Sequence, residues 1–116
     1  MKYKAYIGTY SVRGSKGIYL IEADTGTGNL NILNSWIAES PSYLAVSDGI
    51  MYAALECSEY EGGGAASSYA IASDGSLSLL SVKPTSGKSP CHVCPSPDGK
   101  KIFISNYGDG KLTVFN

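Results

Sequence analysis

The feature that most constrains this chain is a pattern it carries more than once. Ser89–Asn116 reads SPCHVCPSPDGKKIFISNYGDGKLTVFN. It opens on a Ser-Pro break, runs through the short apolar stretch Cys91–Pro95, and turns at Pro97-Asp98-Gly99. Lys101–Tyr107 then sets Ile102, Ile104 and Asn106 against Phe103, Ser105 and Tyr107, the period-two spacing of a strand. Gly108-Asp109-Gly110 turns the chain again, and Lys111–Asn116 alternates once more. Proline presets φ and glycine accepts positive φ, so both breaks are turn chemistry. The same unit occurs earlier. Ser40-Pro41 matches Ser89-Pro90, Ser47-Asp48-Gly49 matches Ser96–Gly99, Met51–Leu55 matches Ile102–Ser105, and Ala66–Ile71 matches Leu112–Phe115. Gly17–Leu33 lines up in turn with Gly64–Leu80.

A repeat of roughly 40–50 residues with four short strands is the period of a β-propeller blade. The expected fold is therefore all-β: a portion, about two and a half blades, of a propeller of four-stranded antiparallel blades. With strands lettered A to D outward from the axis, residues 1–38 form an incomplete blade (B, C, D). Residues 39–84 form a complete one, and residues 85–116 an incomplete one (A, B, C). Composition agrees: 43% hydrophobic, nine Tyr, 14 Gly and five Pro suit short strands between turns. No stretch approaches the ~18 apolar residues of a membrane span. Net charge is −1 with the charges scattered, which argues against a nucleic-acid or membrane partner. The chain starts directly in a strand-like segment, MKYKAYIG, with no signal-peptide pattern. Three cysteines without an export signal point to reduced thiols in the cytoplasm.

Each blade buries its faces on its neighbours, so the two terminal faces of such a piece are bare. Ile18, Tyr19, Ile102 and Phe103 are expected on them, and the remaining blades or further copies of the chain are the expected partners. Strand direction puts the D–A and B–C connections at one end: Trp36–Pro41, Pro84–Pro90, Gly8–Lys16, Glu56–Gly63 and Asn106–Gly110. The opposite end carries only tight turns, at Asp48-Gly49, Pro97–Lys100, Thr25–Asn29 and Ser73–Gly75. Long irregular loops on one end mark it as the functional face, where a propeller's central funnel opens.

YIGTY (Tyr6–Tyr10), SKGIY (Ser15–Tyr19), the Asp24-x-Gly26 turn, SPSYLAVS (Ser40–Ser47) and PCHV–PDGKKIFISNYGDGKLTVF together resemble the N-terminal part of the lactonase-family seven-bladed propellers. That family includes the bacterial 6-phosphogluconolactonases of the cycloisomerase-2 type and the fungal carboxymuconate cyclases. The likeness covers essentially the whole chain but only about a third of such a protein, since seven blades of roughly 45 residues need over 300. It implies a parent that is a carboxylic ester hydrolase acting on a sugar-acid lactone, most plainly a phosphorylated one, with this piece inactive alone. No cofactor and no metal are expected. Two alternatives stay open: a non-catalytic ligand- or protein-binding propeller, and a muconate-lactonising cyclase. Fold alone does not choose among them.

His92, the single histidine, sits just after the second Ser-Pro break, where the resemblance places a histidine; its imidazole suits proton transfer or substrate binding, against the plainer reading of a ring bonded to backbone at the propeller centre. Glu56, opening the ECSEYEGGG loop, is the second candidate catalytic group, to orient water or a sugar hydroxyl; the family often has Asn where Leu55 stands before it. Asn106 and Tyr107 match the family's N-Y-G motif and are candidates for substrate binding, against the plainer reading of a turn cap and a packing ring. Arg13, Lys16 and Lys88 fall at the same end and suit a phosphate or carboxylate. Cys91 and Cys94 fit C-x-x-C, but residues three apart on a strand face opposite ways, and no second ligand pair exists. No G-x-S-x-G pattern supports a covalent serine route.

Overall fold

The computed structural model describes every residue, Met1–Asn116. It holds ten strands and no helix: β1 (Lys2–Ile7), β2 (Gly17–Asp24), β3 (Leu30–Ile37), β4 (Pro41–Ser47), β5 (Ile50–Tyr60), β6 (Gly63–Ile71), β7 (Leu77–Pro84), β8 (Pro90–Pro95), β9 (Ile102–Asn106) and β10 (Lys111–Phe115). They form three antiparallel meanders, ordered β1-β2-β3, β4-β5-β6-β7 and β8-β9-β10. The span from Ser40 to Lys83 is thus one four-stranded sheet with β4 and β7 at its edges, as the repeat requires. Local chemistry sets the joints. Asp48 and Gly49 both take positive φ, 49° and 74°, between the paired residues Ser47 and Ile50. That is the two-residue hairpin turn whose twist matches its flanking strands.

The sheets stack face to face, and the middle one alternates its side chains between two neighbours. Met51, Ala53 and Leu55 of β5, with Ala65 and Tyr69 of β6, pack with Ile18 of β2 in the larger core; Tyr6 and Trp36 of the first sheet close its edge. The intervening Ala54 packs with Val93 and Ile104 of the third sheet, flanked by Tyr52, Ala66 and Phe115. Small residues in β5 and β6 let the sheets approach closely. Gly64 is the extreme case, since a Cβ there would collide with the Pro90 ring and the Leu55 carbonyl.

Strand β2 departs from expectation. Ile18 is fully buried against the middle sheet and does not lie on a bare face. Pairing explains why. Gly17 sits opposite Ile37 as Ala65 sits opposite Pro84, and Ala38 N donates to Lys16 O as Thr85 N donates to Gly64 O. Gly17 therefore corresponds to Ala65, one residue later than the overlay of Gly17 on Gly64. The β3 and β7 strands do match as overlaid, because the Thr25–Gly28 turn is one residue longer than Ser73–Gly75. A slip of one residue moves every side chain of a strand to the other face. The bare face of the first sheet instead carries Ile7, Tyr19, Ile21, Leu30 and Ile32. Ile102 likewise faces the middle sheet, leaving Leu112 and Val114 of β10 exposed at the other terminal sheet.

Candidate active site

The connections β1–β2, β3–β4, β5–β6, β7–β8 and β9–β10 gather at one end of the stack, as antiparallel meanders dictate. Each of the two later sheets enters its first strand through the same device. Ser40 and Ser89 have positive φ, 44° and 53°, and precede the fully buried Pro41 and Pro90. The Ser40 carbonyl accepts Glu56 N at 2.9 Å, and the Ser89 carbonyl accepts Tyr107 N at 3.0 Å. Glu56 and Tyr107 are thus the same position in successive sheets. Two residues past each buried proline stand Tyr43 and His92, also equivalent. Their rings meet across β4 and β8 with centroids 4.4 Å apart and planes tilted by 48°. Both are exposed, so the imidazole has a ring packed against it and an open side.

Glu56 is met from the first sheet. The Tyr10 phenol donates to Glu56 Oε2 at 2.6 Å. That hydrogen bond, and then the charge of the same carboxylate, push the phenol pKa above its ordinary value; the Ser42 hydroxyl acts in the opposite sense. No hydrogen bond or ion pair joins Glu56 directly to His92. Further along β5, burial pushes the Cys57 thiol up to about 11. Hydrogen bonds from Cys57 and from Ser58 N hold the Glu59 carboxyl below its usual range.

The remaining candidates fall into two groups. Asn106 is buried, at 2% exposure, in the joint between the β7–β8 connection and β10. Its Nδ2 donates to Lys111 O at 3.1 Å and to Thr113 Oγ1 at 3.0 Å, and Thr113 Oγ1 donates to Thr85 O at 2.7 Å. Its Oδ1 is buried without a partner, and Gly87 lies against the carboxamide where no Cβ would fit. Both amide hydrogens are spent inside the protein. Tyr107, by contrast, is 82% exposed, and Arg13, Lys16 and Lys88 are exposed with side chains in no ion pair. The three cysteines are free. Cys91 lies at the bulge between Pro90 and His92, while His92 and Cys94 alternate with the buried Val93. Tyr10 and Tyr43 are the residues that reasoning from sequence missed. Equivalence of Tyr43 with His92 was readable from the two Ser-Pro breaks, whereas nothing local links Tyr10 to a carboxylate 46 residues away.

Three stacked antiparallel meanders are consistent with part of a β-propeller, and comparison with known proteins says which kind. The model of the family described as "Lactonase, 7-bladed beta-propeller" matches residues 4–116. The chain belongs to that lactonase family. It is 36% identical to the 6-phosphogluconolactonase of Bacillus subtilis, covering 98% of this chain and 33% of that protein. Among solved structures it resembles a Bacteroides uniformis protein provisionally assigned as a 6-phosphogluconolactonase, with 35% identity, TM-score 0.84, and 98% and 33% of the two chains covered. It also resembles the periplasmic gluconolactonase PpgL of Pseudomonas aeruginosa, with 26% identity, TM-score 0.87, and 98% and 34% covered. The chain spans about a third of the length of these relatives.

Proposed function

We propose that the lactonase-family protein built from this chain hydrolyses a sugar-acid lactone, with a 6-phosphogluconolactone the leading substrate. The observation that carries the reading is His92, exposed beside the loop-rich end with its ring seated on Tyr43. A neutral imidazole so placed accepts a proton from water as the water oxygen attacks the ring carbonyl. The resulting tetrahedral oxyanion collapses, the ring C–O bond breaks, and the alkoxide takes up the proton to give the open sugar acid. Glu56, with Oε2 bound by Tyr10, keeps Oε1 to accept a hydrogen bond from the water or a sugar hydroxyl. Arg13, Lys16, Lys88 and the Tyr107 hydroxyl are the groups at this end able to meet a phosphate. Asn106 serves from behind, by holding the Tyr107 turn against β10.

The test is turnover by the intact gene product of 6-phosphogluconolactone, the unphosphorylated lactone and a muconate, side by side. Preferential hydrolysis of the phosphorylated lactone is expected, and lactone formation from the muconate alone would replace this reading with the cyclase one. His92→Ala should lower kcat by roughly 10²-fold, the lower range for loss of a general base, with little change in Tm because the side chain is exposed. Normal kcat with a lowered Tm would make His92 a packing residue. A cytoplasmic location rests on the three free thiols. No helix is long and apolar enough to cross a membrane.

A further inference from the structure

We infer that Tyr10 is a positioning residue for Glu56, carried to it by a loop clamped onto the neighbouring sheet. The role given to Glu56 rests on the lactonase reading above; the clamp rests on geometry alone. The loop following β1 is pinned at its base by Gly8, whose missing Cβ leaves room for the Pro41 carbonyl. Thr9 Oγ1 bonds Ser15 Oγ at 2.5 Å and donates to Gly17 O at 2.7 Å, closing the loop on itself. Ser11 and Ser40 then lock it to the second sheet by a reciprocal pair. Ser11 N donates to Ser40 Oγ at 3.0 Å, and Ser40 N donates to Ser11 Oγ at 2.8 Å.

Ser40 is the hub of this arrangement. Its carbonyl also accepts Ser42 N at 2.7 Å and Glu56 N at 2.9 Å. A non-glycine residue at positive φ is strained, and it persists only where its surroundings over-determine it. Here hydrogen bonds from the β1–β2 loop, β4 and β5 do so. One residue therefore fixes both the Glu56 backbone and the loop that delivers Tyr10. Tyr10 is 54% exposed, so burial does not hold its ring in place. The defined contact it makes is the 2.6 Å bond to Glu56 Oε2. Without that bond the Glu56 side chain is free to sample rotamers; with it, one oxygen is committed and the other is aimed.

The experiment uses the intact gene product with Tyr10→Phe, Glu56→Gln and the double variant, and has two arms. In the first, the Tyr10 ring-carbon NMR signal, assigned by its loss in Tyr10→Phe, is titrated with pH. It should titrate above an ordinary phenol in the wild type and fall back toward it in Glu56→Gln. An unchanged titration in Glu56→Gln overturns the Tyr10–Glu56 contact, and the positioning role with it, whatever the protein's activity. In the second arm, Tyr10→Phe should lower kcat on the lactone roughly tenfold or more, the scale of a hydrogen bond to a charged group. KM should move less, and the same change made in the Glu56→Gln background should add nearly nothing. Equal losses in both backgrounds, or no loss at all, overturn the positioning role. If the wild type hydrolyses no lactone, the lactonase reading falls separately, and the titration alone supports or overturns the contact.

Discussion

Asn106 and Tyr107 are adjacent in the sequence, yet the fold uses them in opposite ways. A strand alternates its faces, so when the Asn106 carboxamide is buried against Gly87 the next ring must point outward. Asn106→Asp replaces two donors by an acceptor-only carboxylate facing Lys111 O and Thr113 Oγ1. It should destabilise the protein by about 2–4 kcal/mol, measured by urea unfolding, since it buries an uncompensated charge. Stability within about 0.5 kcal/mol of wild type would mean the amide hydrogens do not hold this joint. The cysteines give a second check at this scale. With the Cys57 thiol pushed up to about 11 by burial, almost none of it is thiolate at pH 8. Iodoacetamide at that pH should label the exposed Cys94 well before Cys57, read by peptide mass mapping. The N-Y-G motif was legible in the sequence, but which of its residues faces inward was not. That depends on Thr85 and Gly87 arriving from the preceding connection.

The turns show how far element-level reading goes. Every strand–turn boundary that the Gly, Pro and Asp signals mark is present, because those residues act locally through φ and short side-chain bonds. The phase of β2 was misread because it depends on turn length, which a recurring motif hides. Ile18 and Tyr19 are neighbours on β2 and face opposite ways, so Tyr19 lies on the bare surface while Ile18 is buried. The turn carboxylates also predict a pH response. Asp74 is held below its usual range by Ser76 N, Asp98 by Ser96 Oγ and Lys100 N, and Asp109 by Lys88 N. A carboxylate with a depressed folded pKa adds stability that is complete above its unfolded value near 3.9 and is lost as pH falls through the folded value. Amide exchange at Ser76, Lys100 and Lys88, whose N–H groups donate to these carboxylates, should therefore lose protection as pH drops from about 5 toward 2. The two-residue hairpin at Asp48-Gly49, closed by its backbone pairing without a side-chain carboxylate bond, provides the internal reference. Equal loss at that hairpin would point to global unfolding instead.

At the scale of the whole molecule, these residues bury two sheet interfaces and leave the outer faces of the stack uncovered. The first sheet presents Ile7, Tyr19, Ile21, Leu30 and Ile32, and the last presents Leu112 and Val114. The β1 and β10 edges carry unpaired backbone groups, a template for further strands. We propose that the three sheets are successive blades, the middle one complete, and that the uncovered faces meet other blades in the assembled ring. Each large side chain left in water forgoes about 1.5–3 kcal/mol, against a typical domain stability of only ~5–15 kcal/mol. Association is the available remedy, through the covering blades or through further copies of the same chain. The 116 residues expressed alone should then sediment, at micromolar concentration, heavier than the 12.2 kDa monomer, and should hydrolyse no lactone. Charging the bare face, for instance by Ile32→Lys, should shift the isolated chain toward monomer without improving its melting. A sharp, cooperatively melting monomer of wild-type sequence would show that these faces tolerate water and that the piece is a domain in its own right.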